Sequence, residues 1–166
     1  MKKGFLALIG LFTLVSFVFY SCSKEETTSC TGVSAASEKS ALVSFANTNG
    51  ITYTEHSSGM LYQIIAPGSG LQPNLNSRIF VTYKGTLLNG TGFDSSSNPG
   101  STSFILRDLI QGWQIGLQQI RKGGTIKMLI PSSLGYGCNP VKKSDGSDLI
   151  PANSPLYFEM TLWDVQ

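Results

Sequence analysis

The stretch Asp108-Leu109-Ile110-Gln111-Gly112-Trp113-Gln114-Ile115-Gly116-Leu117-Gln118-Gln119-Ile120-Arg121-Lys122-Gly123-Gly124 decides the fold. Trp113, Gly116, Leu117 and Ile120 stand at i, i+3, i+4 and i+7, which aligns them along one apolar face of a helix. Asp108 is placed to cap that helix, and Gln111 three residues later can reach back to it, a variant of the capping box. Arg121 and Lys122 suit the negative end of the helix dipole, and Gly123-Gly124 stops the helix.

Around this helix the pattern is that of strands. Met60–Ala66 ends at Pro67-Gly68-Ser69-Gly70, and Arg78–Leu87 ends at a turn over residues 88–92. Thr102–Leu106 is a third strand, and Thr125–Ile130 a fourth that stops at Pro131. Leu156–Val165 alternates, with Leu156, Phe158, Met160 and Leu162 on one face and Tyr157, Glu159, Thr161 and Trp163 on the other. One amphipathic helix among antiparallel strands predicts an α+β domain. Its sheet, of about five strands, must lay one face on the helix, because neither can bury its apolar side alone.

The chain's 166 residues suffice for one ordinary domain, and 41% apolar residues allow a core. Charged residues are only 13%, and Gly, Ser, Thr and Asn fill their place. The formal charge of +2 comes from Lys2 and Lys3; without them ten basic residues face ten acidic ones. That balance lacks the electrostatic footprint of a nucleic-acid binder.

Residues 1–21 read Met-Lys-Lys, an apolar run from Gly4 to Tyr20, then Ser21, the form of a secretory signal. Cys22 follows it directly. This arrangement resembles the lipidation site of bacterial lipoproteins and implies an exported chain anchored by an acylated Cys22. The other reading is an uncleaved anchor helix, since the apolar run is near the short limit for crossing a bilayer. Residues 22–34 read as a flexible, anchored tether, 35–57 as a short helical appendage, and 58–166 as the main domain. In the appendage Leu42, Phe45 and Ala46 fall at helical spacing, and Asn49-Gly50 ends the helix. Residues 23–57 are too short for a long dimerisation helix, so a monomer is expected.

The residues exclude several chemistries. His56 is the single histidine, in a polar stretch before the first strand, where it reads as a surface loop residue. No ligand set of metal-site spacing assembles, so neither a metal nor another cofactor is expected. Pro67-Gly68-Ser69-Gly70 is neither a phosphate loop nor a nucleophile elbow. Cys30 and Cys138 remain after Cys22. In an oxidising compartment they can pair and clip the tether to the segment after Tyr136-Gly137; otherwise they stay as two free thiols.

A set of aromatic and aliphatic residues lies at turn ends and at the helix start: Tyr83, Phe93, Phe104, Leu109, Ile110, Trp113, Tyr136 and Phe158, with Asp94 beside Phe93. Large apolar residues are ordinarily core, but their order here is specific. Residues 81–96, ending Phe93-Asp94-Ser95-Ser96, resemble the strand-turn motif of the FKBP-type peptidyl-prolyl isomerases. Leu109-Ile110-Gln111-Gly112-Trp113, then Ile130-Pro131 with Leu134-Gly135-Tyr136-Gly137, and finally Leu149–Phe158 are similar to that family's following blocks, in the same order. The resemblance covers about residues 58–166.

That resemblance implies a bent antiparallel sheet wrapped over the helix, and an isomerase acting on proline-containing polypeptides. Trp113 would floor a proline pocket walled by Tyr83, Phe93, Leu109, Ile110 and Phe158, with Phe104, Leu149 and Ile150 adding substrate contacts. The Ile110 N–H and the Tyr136 hydroxyl would bond peptide carbonyls, and Asp94 would lie near the carbonyl before the proline. Thr102 departs from the family's usual aromatic, and residues 138–148 form a longer loop without a histidine. The physics suits such a site. Rotation about the amide costs about 18–20 kcal/mol because resonance is lost, and an apolar pocket that binds the twisted amide best lowers that barrier without nucleophile or metal. Two other functions share the fold: a non-catalytic proline-peptide-binding chaperone or adaptor, and a membrane-tethered structural scaffold.

Overall fold

The computed structural model describes residues 30–166. The signal-like residues 1–21 and the lipidation candidate Cys22 lie outside the described residues. Among the described residues, no helix is long and apolar enough to cross a membrane.

Helix α1 (Ala35–Thr48) comes first. The Ser34 side chain accepts from the Ser37 N–H at 3.3 Å, and Asn49 with Gly50 at φ 63 closes the other end. Strands β1 (Thr54–Glu55), β2 (Leu61–Ala66), β3 (Arg78–Leu87), β4 (Gly92–Ser96) and β5 (Ser103–Ile105) follow. Helix α2 (Gln111–Leu117) precedes β6 (Gly124–Ile130), the short ribbon β7 (Val141–Lys142) and β8 (Asp148–Ile150), and β9 (Leu156–Val165).

The main sheet is antiparallel throughout, in the order β1-β2-β6-β9-β3-β4, with β5 on the same edge of β3 as β4. It therefore has seven strands among the described residues, where about five were expected. The additions are β1, which is only two residues long, and β4, whose Gly-Phe-Asp-Ser-Ser has no apolar alternation. Pairing with a neighbour makes each a strand.

The expected alternation of β9 holds from Leu156 to Leu162 and then slips by one, so that Val165 is buried. Register explains the slip. Val81 faces Leu162 and Phe80 faces Asp164, leaving Trp163 as the extra residue of a bulge. A bulge inverts side-chain parity and bends the strand. Trp163 turns outward, and its Nε1–H donates to Thr82 Oγ1 at 2.9 Å.

The core lies between α2 and one sheet face. Leu117, Ile120, Ile79, Val81, Ile126, Met128, Leu156, Met160 and Leu162 are buried there, at about 1.5–3 kcal/mol for each such side chain. Gly116 lets the helix lie close on the sheet, since a Cβ there would collide with the Met128 sulfur. Leu61 and Leu129 point to the opposite face, and Leu42 and Ala46 of α1 cover them. The segment expected as an appendage thus packs α1 over the Leu61–Leu129 end of the second face, while Thr82, Lys84, Glu159 and Trp163 leave the rest of that face open.

Both ends of the central helix differ from the sequence expectation. Asp108 does not cap it. Leu106–Asp108 is a separate turn of 3-10 helix, and Ile110 takes the cap position without a side-chain bond. Gln114, not Gln111, ties the segment down: its Nε2 donates to Leu109 O at 2.7 Å and Arg107 O at 3.0 Å. The helix ends at Leu117, so Arg121 and Lys122 lie past its dipole. The Arg121 N–H donates to Pro67 O at 2.8 Å, and Lys122 Nζ is 2.6 Å from Asp164 Oδ1. Strand β6 sets this early end, because the chain must turn back to enter the sheet beside β9.

Candidate functional site

A cavity of about 180 Å³ opens between the start of α2, the β3–β4 pair and the loop after β6. Tyr83, Phe93, Asp94, Phe104, Leu109, Ile110, Trp113, Tyr136 and Phe158 line it. Strand β3 supplies Tyr83, and β4 supplies Phe93 and Asp94. Strand β5 supplies Phe104, and β9 supplies Phe158 from its inward row. Trp113 is 5% exposed and forms the floor.

The rings meet edge to face around that floor. Trp113 lies 5.0 Å from Tyr83, 5.1 Å from Phe158 and 6.1 Å from Phe104 between centroids, at 73°, 88° and 78°. Phe93 stands 5.4 Å from Phe158 at 83°. Such T-shaped pairs add about 0.5–1.5 kcal/mol each beyond the area they bury. Gly85 makes the Phe93–Phe158 contact possible, because a Cβ there would lie 2.7 Å from both rings.

The polar groups are few and ordered. The Tyr83 hydroxyl donates to Asp94 Oδ2 at 2.7 Å, and the Ser95 N–H donates to Asp94 Oδ1 at 2.8 Å. Burial, then the Asp94 hydrogen bond and charge, push the Tyr83 phenol far above its ordinary value. Burial and the Asp94 charge raise Tyr136 as well. Both phenols therefore keep their protons at neutral pH, and Tyr136, 39% exposed, remains a hydrogen-bond donor at the rim. The Ile110 N–H, at the cap of α2, has no acceptor within the protein among the described residues. Asp94 is the one ionisable carboxyl among the lining residues. The arrangement can seat a small apolar ring and donate two hydrogen bonds at its edge.

Two residues expected to touch substrate do not line the cavity. Ile150, opposite Val141 in the β7–β8 ribbon, turns into the core at 2% exposure. Leu149 packs half-buried against the same core. The ribbon organises part of the longer loop, helped by a Lys142–Asp148 ion pair. Thr102 lies outside the cavity lining, its hydroxyl bonded to that of Ser96. His56 lines a separate, open depression of about 610 Å³ beside α1 and hydrogen-bonds within its own turn, Nδ1 2.9 Å from Ser58 Oγ. No Phe, Tyr or Trp lines that depression. A disulfide joins Cys30 to Cys138, with Cα atoms 5.4 Å apart, next to the Tyr136 rim. Sequence reasoning missed Gln114, which ties the entry of α2 to the Leu109 and Arg107 carbonyls without any apolar period to report it, and Glu38, whose carboxylate accepts from the distant Ser132 N–H.

Comparison with known proteins agrees with this geometry. The family model for FKBP-type peptidyl-prolyl cis-trans isomerases matches residues 70–163. The chain is 45% identical, over 74% of its length and 46% of the relative's, to FKBP-type peptidyl-prolyl cis-trans isomerase FkpA of Buchnera aphidicola subsp. Schizaphis graminum. It is 42% identical to FkpA of Escherichia coli K12, over 66% of this chain and 39% of the relative. This chain thus spans less than half the length of these curated relatives. The crystal structure of E. coli FkpA superposes with a TM-score of 0.64 at 36% identity, covering 80% of this chain and 61% of that one. A peptidyl-prolyl cis-trans isomerase from Pseudomonas syringae superposes at 0.63 with 30% identity, over 82% of this chain and 98% of that one.

Proposed function

Because the chain belongs to the FKBP-type peptidyl-prolyl cis-trans isomerase family, we propose that it catalyses cis/trans exchange of X-Pro bonds in exported polypeptides. The observation that carries this reading is one aromatic cavity bearing two donors, the Ile110 N–H and the Tyr136 hydroxyl, with Trp113 as its floor. The proline ring enters the cavity and rests on Trp113. Ile110 and Tyr136 hold flanking peptide carbonyls, while the X-Pro amide rotates between the walls. Twisting breaks resonance and leaves the amide carbonyl less polarised, so an apolar wall favours the twisted form over either planar one. Each 1.36 kcal/mol of that preference gives about a tenfold faster exchange. Asp94 keeps the Tyr83 hydroxyl oriented and places a negative charge near the carbonyl before the proline.

The test is the exchange rate of peptides with different residues before proline, measured with pure oxidised protein. Acceleration is expected, strongest with an apolar residue, which suits Phe93, Leu109 and Ile110 at the rim. Tyr136→Phe should keep the fold and lower kcat/KM roughly two- to tenfold, the worth of one hydrogen bond. Asp94→Leu should lower it too, since the Tyr83 hydroxyl and Ser95 N–H lose their acceptor. No acceleration by folded wild type across the peptide set would replace this reading with a non-catalytic proline-peptide-binding chaperone or adaptor.

We further propose that the chain is exported and held at a membrane by an acylated Cys22, and that it works as a monomer. The signal pattern of residues 1–21 supports export, as does the Cys30–Cys138 bridge, which belongs in an oxidising compartment. The monomer reading rests on α1, only 14 residues long, which packs its apolar side on its own sheet. Mass spectrometry of native protein should find a mature chain starting at a lipid-modified Cys22; an unmodified Cys22 overturns the anchor.

A further inference from the structure

The loop that presents Tyr136 is held from behind by the segment preceding the sheet. Strand β6 ends at Ile130, and Pro131 opens a turn of 3-10 helix, Ser132–Leu134. The first N–H groups of such a turn have no partner inside it. The Ser132 N–H finds one 94 residues away, donating to Glu38 Oε2 at 2.7 Å. The Ser132 carbonyl in turn accepts from the N–H groups of Gly135 at 2.9 Å and Gly137 at 2.8 Å, the two neighbours of Tyr136. One carboxylate therefore fixes the residue that fixes both sides of the tyrosine.

Glu38 is 9% exposed, and carboxylates are seldom buried without a partner. Apolar docking through Leu42 and Ala46 covers the sheet but is non-directional. A charge-assisted hydrogen bond adds geometry, setting where the loop lies relative to α1. Two more ties act on the same loop. The Cys30–Cys138 bridge attaches it two residues after Tyr136. Asn153 donates its N–H to Gly137 O at 2.8 Å and its Nδ2–H to Thr31 O at 3.1 Å.

Resting on the isomerase reading, we propose that Glu38, with the Cys30–Cys138 bridge, positions the Tyr136 hydroxyl for the bound peptide. The segment 30–38 then belongs to the working site although none of it lines the cavity.

The experiment compares the oxidised chain with Glu38→Ala, Glu38→Gln and Cys30→Ser/Cys138→Ser, each alone and combined with Tyr136→Phe, at a temperature where circular dichroism shows all folded. Glu38→Ala should lower kcat/KM about fivefold, within the two- to tenfold loss of Tyr136→Phe, because it acts only through that tyrosine's single hydrogen bond. Glu38→Gln, whose amide oxygen still accepts, should recover most of that loss. In the Tyr136→Phe background Glu38→Ala should add nothing, because the hydroxyl it positions is gone. The double serine variant should follow the same pattern. By hydrogen exchange, the Gly135 and Gly137 amides should open faster in Glu38→Ala while those of β9 stay unchanged. Equal losses with and without the Tyr136 hydroxyl, or unchanged exchange at Gly135 and Gly137, overturn the proposal. A wild type that accelerates nothing removes the isomerase reading and the catalytic half of this one. Exchange at the two glycines then decides by itself whether Glu38 holds the loop.

Discussion

Trp113→Ala should lower stability by about 3–5 kcal/mol, the range for removing a large buried aromatic side chain, and abolish measurable peptide binding. Trp113 touches three of the cavity's other rings, at centroid distances of 5.0, 5.1 and 6.1 Å, and only 5% of it is exposed. Truncation leaves Tyr83, Phe104 and Phe158 without the surface they meet edge-on, and a hole beneath the proline seat. At the entropy of unfolding of a domain this size, the thermal midpoint should fall by roughly 10–20 °C. Trp113→Phe separates shape from chemistry. The indole N–H is buried and has no acceptor among the described residues, so Phe removes no hydrogen bond. It should cost far less than Ala and retain a share of the isomerase activity. Calorimetry of both variants, with peptide titration, gives the comparison. A Trp113→Ala midpoint within a few degrees of wild type would show that the floor is not held by this packing.

Removing the Cys30–Cys138 bridge by serine substitution should have the second large effect. The bridge closes a loop with a sequence separation of 108. In the chain-entropy view, such a loop restricts the unfolded state by about 4–5 kcal/mol, and native bridges typically deliver 2–4. Urea unfolding should therefore show a lower midpoint. The slope should also steepen, because the uncrosslinked unfolded chain exposes more surface. The same shift should appear in wild type treated with reductant. A midpoint unchanged by reduction, with both thiols shown to be free, would mean that the bridge adds nothing to stability.

The sequence was most legible where the information is local. The period of two in Leu156–Leu162 and the 3.6 spacing of Trp113, Gly116, Leu117 and Ile120 report which side chains face a core, and burial agrees at every one. The order of Tyr83, Phe93-Asp94, Ile110, Trp113, Tyr136 and Phe158 carried the family and the lining of the cavity, since each sits on a strand, turn or helix start that its own neighbours encode. The helix start at Ile110 in place of Asp108 was local too but not periodic, since Gln114 reaches back five and seven residues to Leu109 and Arg107. Tertiary structure alone decided the rest, beginning with the helix end at Leu117, set by where β6 must join the sheet. Ile150 went to the core instead of the pocket because it pairs with Val141, and Val165 faces inward because a bulge at Trp163 inverts the strand's parity. Glu38 meets Ser132 across 94 residues, and no periodicity in a sequence records a contact made only when two distant segments are packed together.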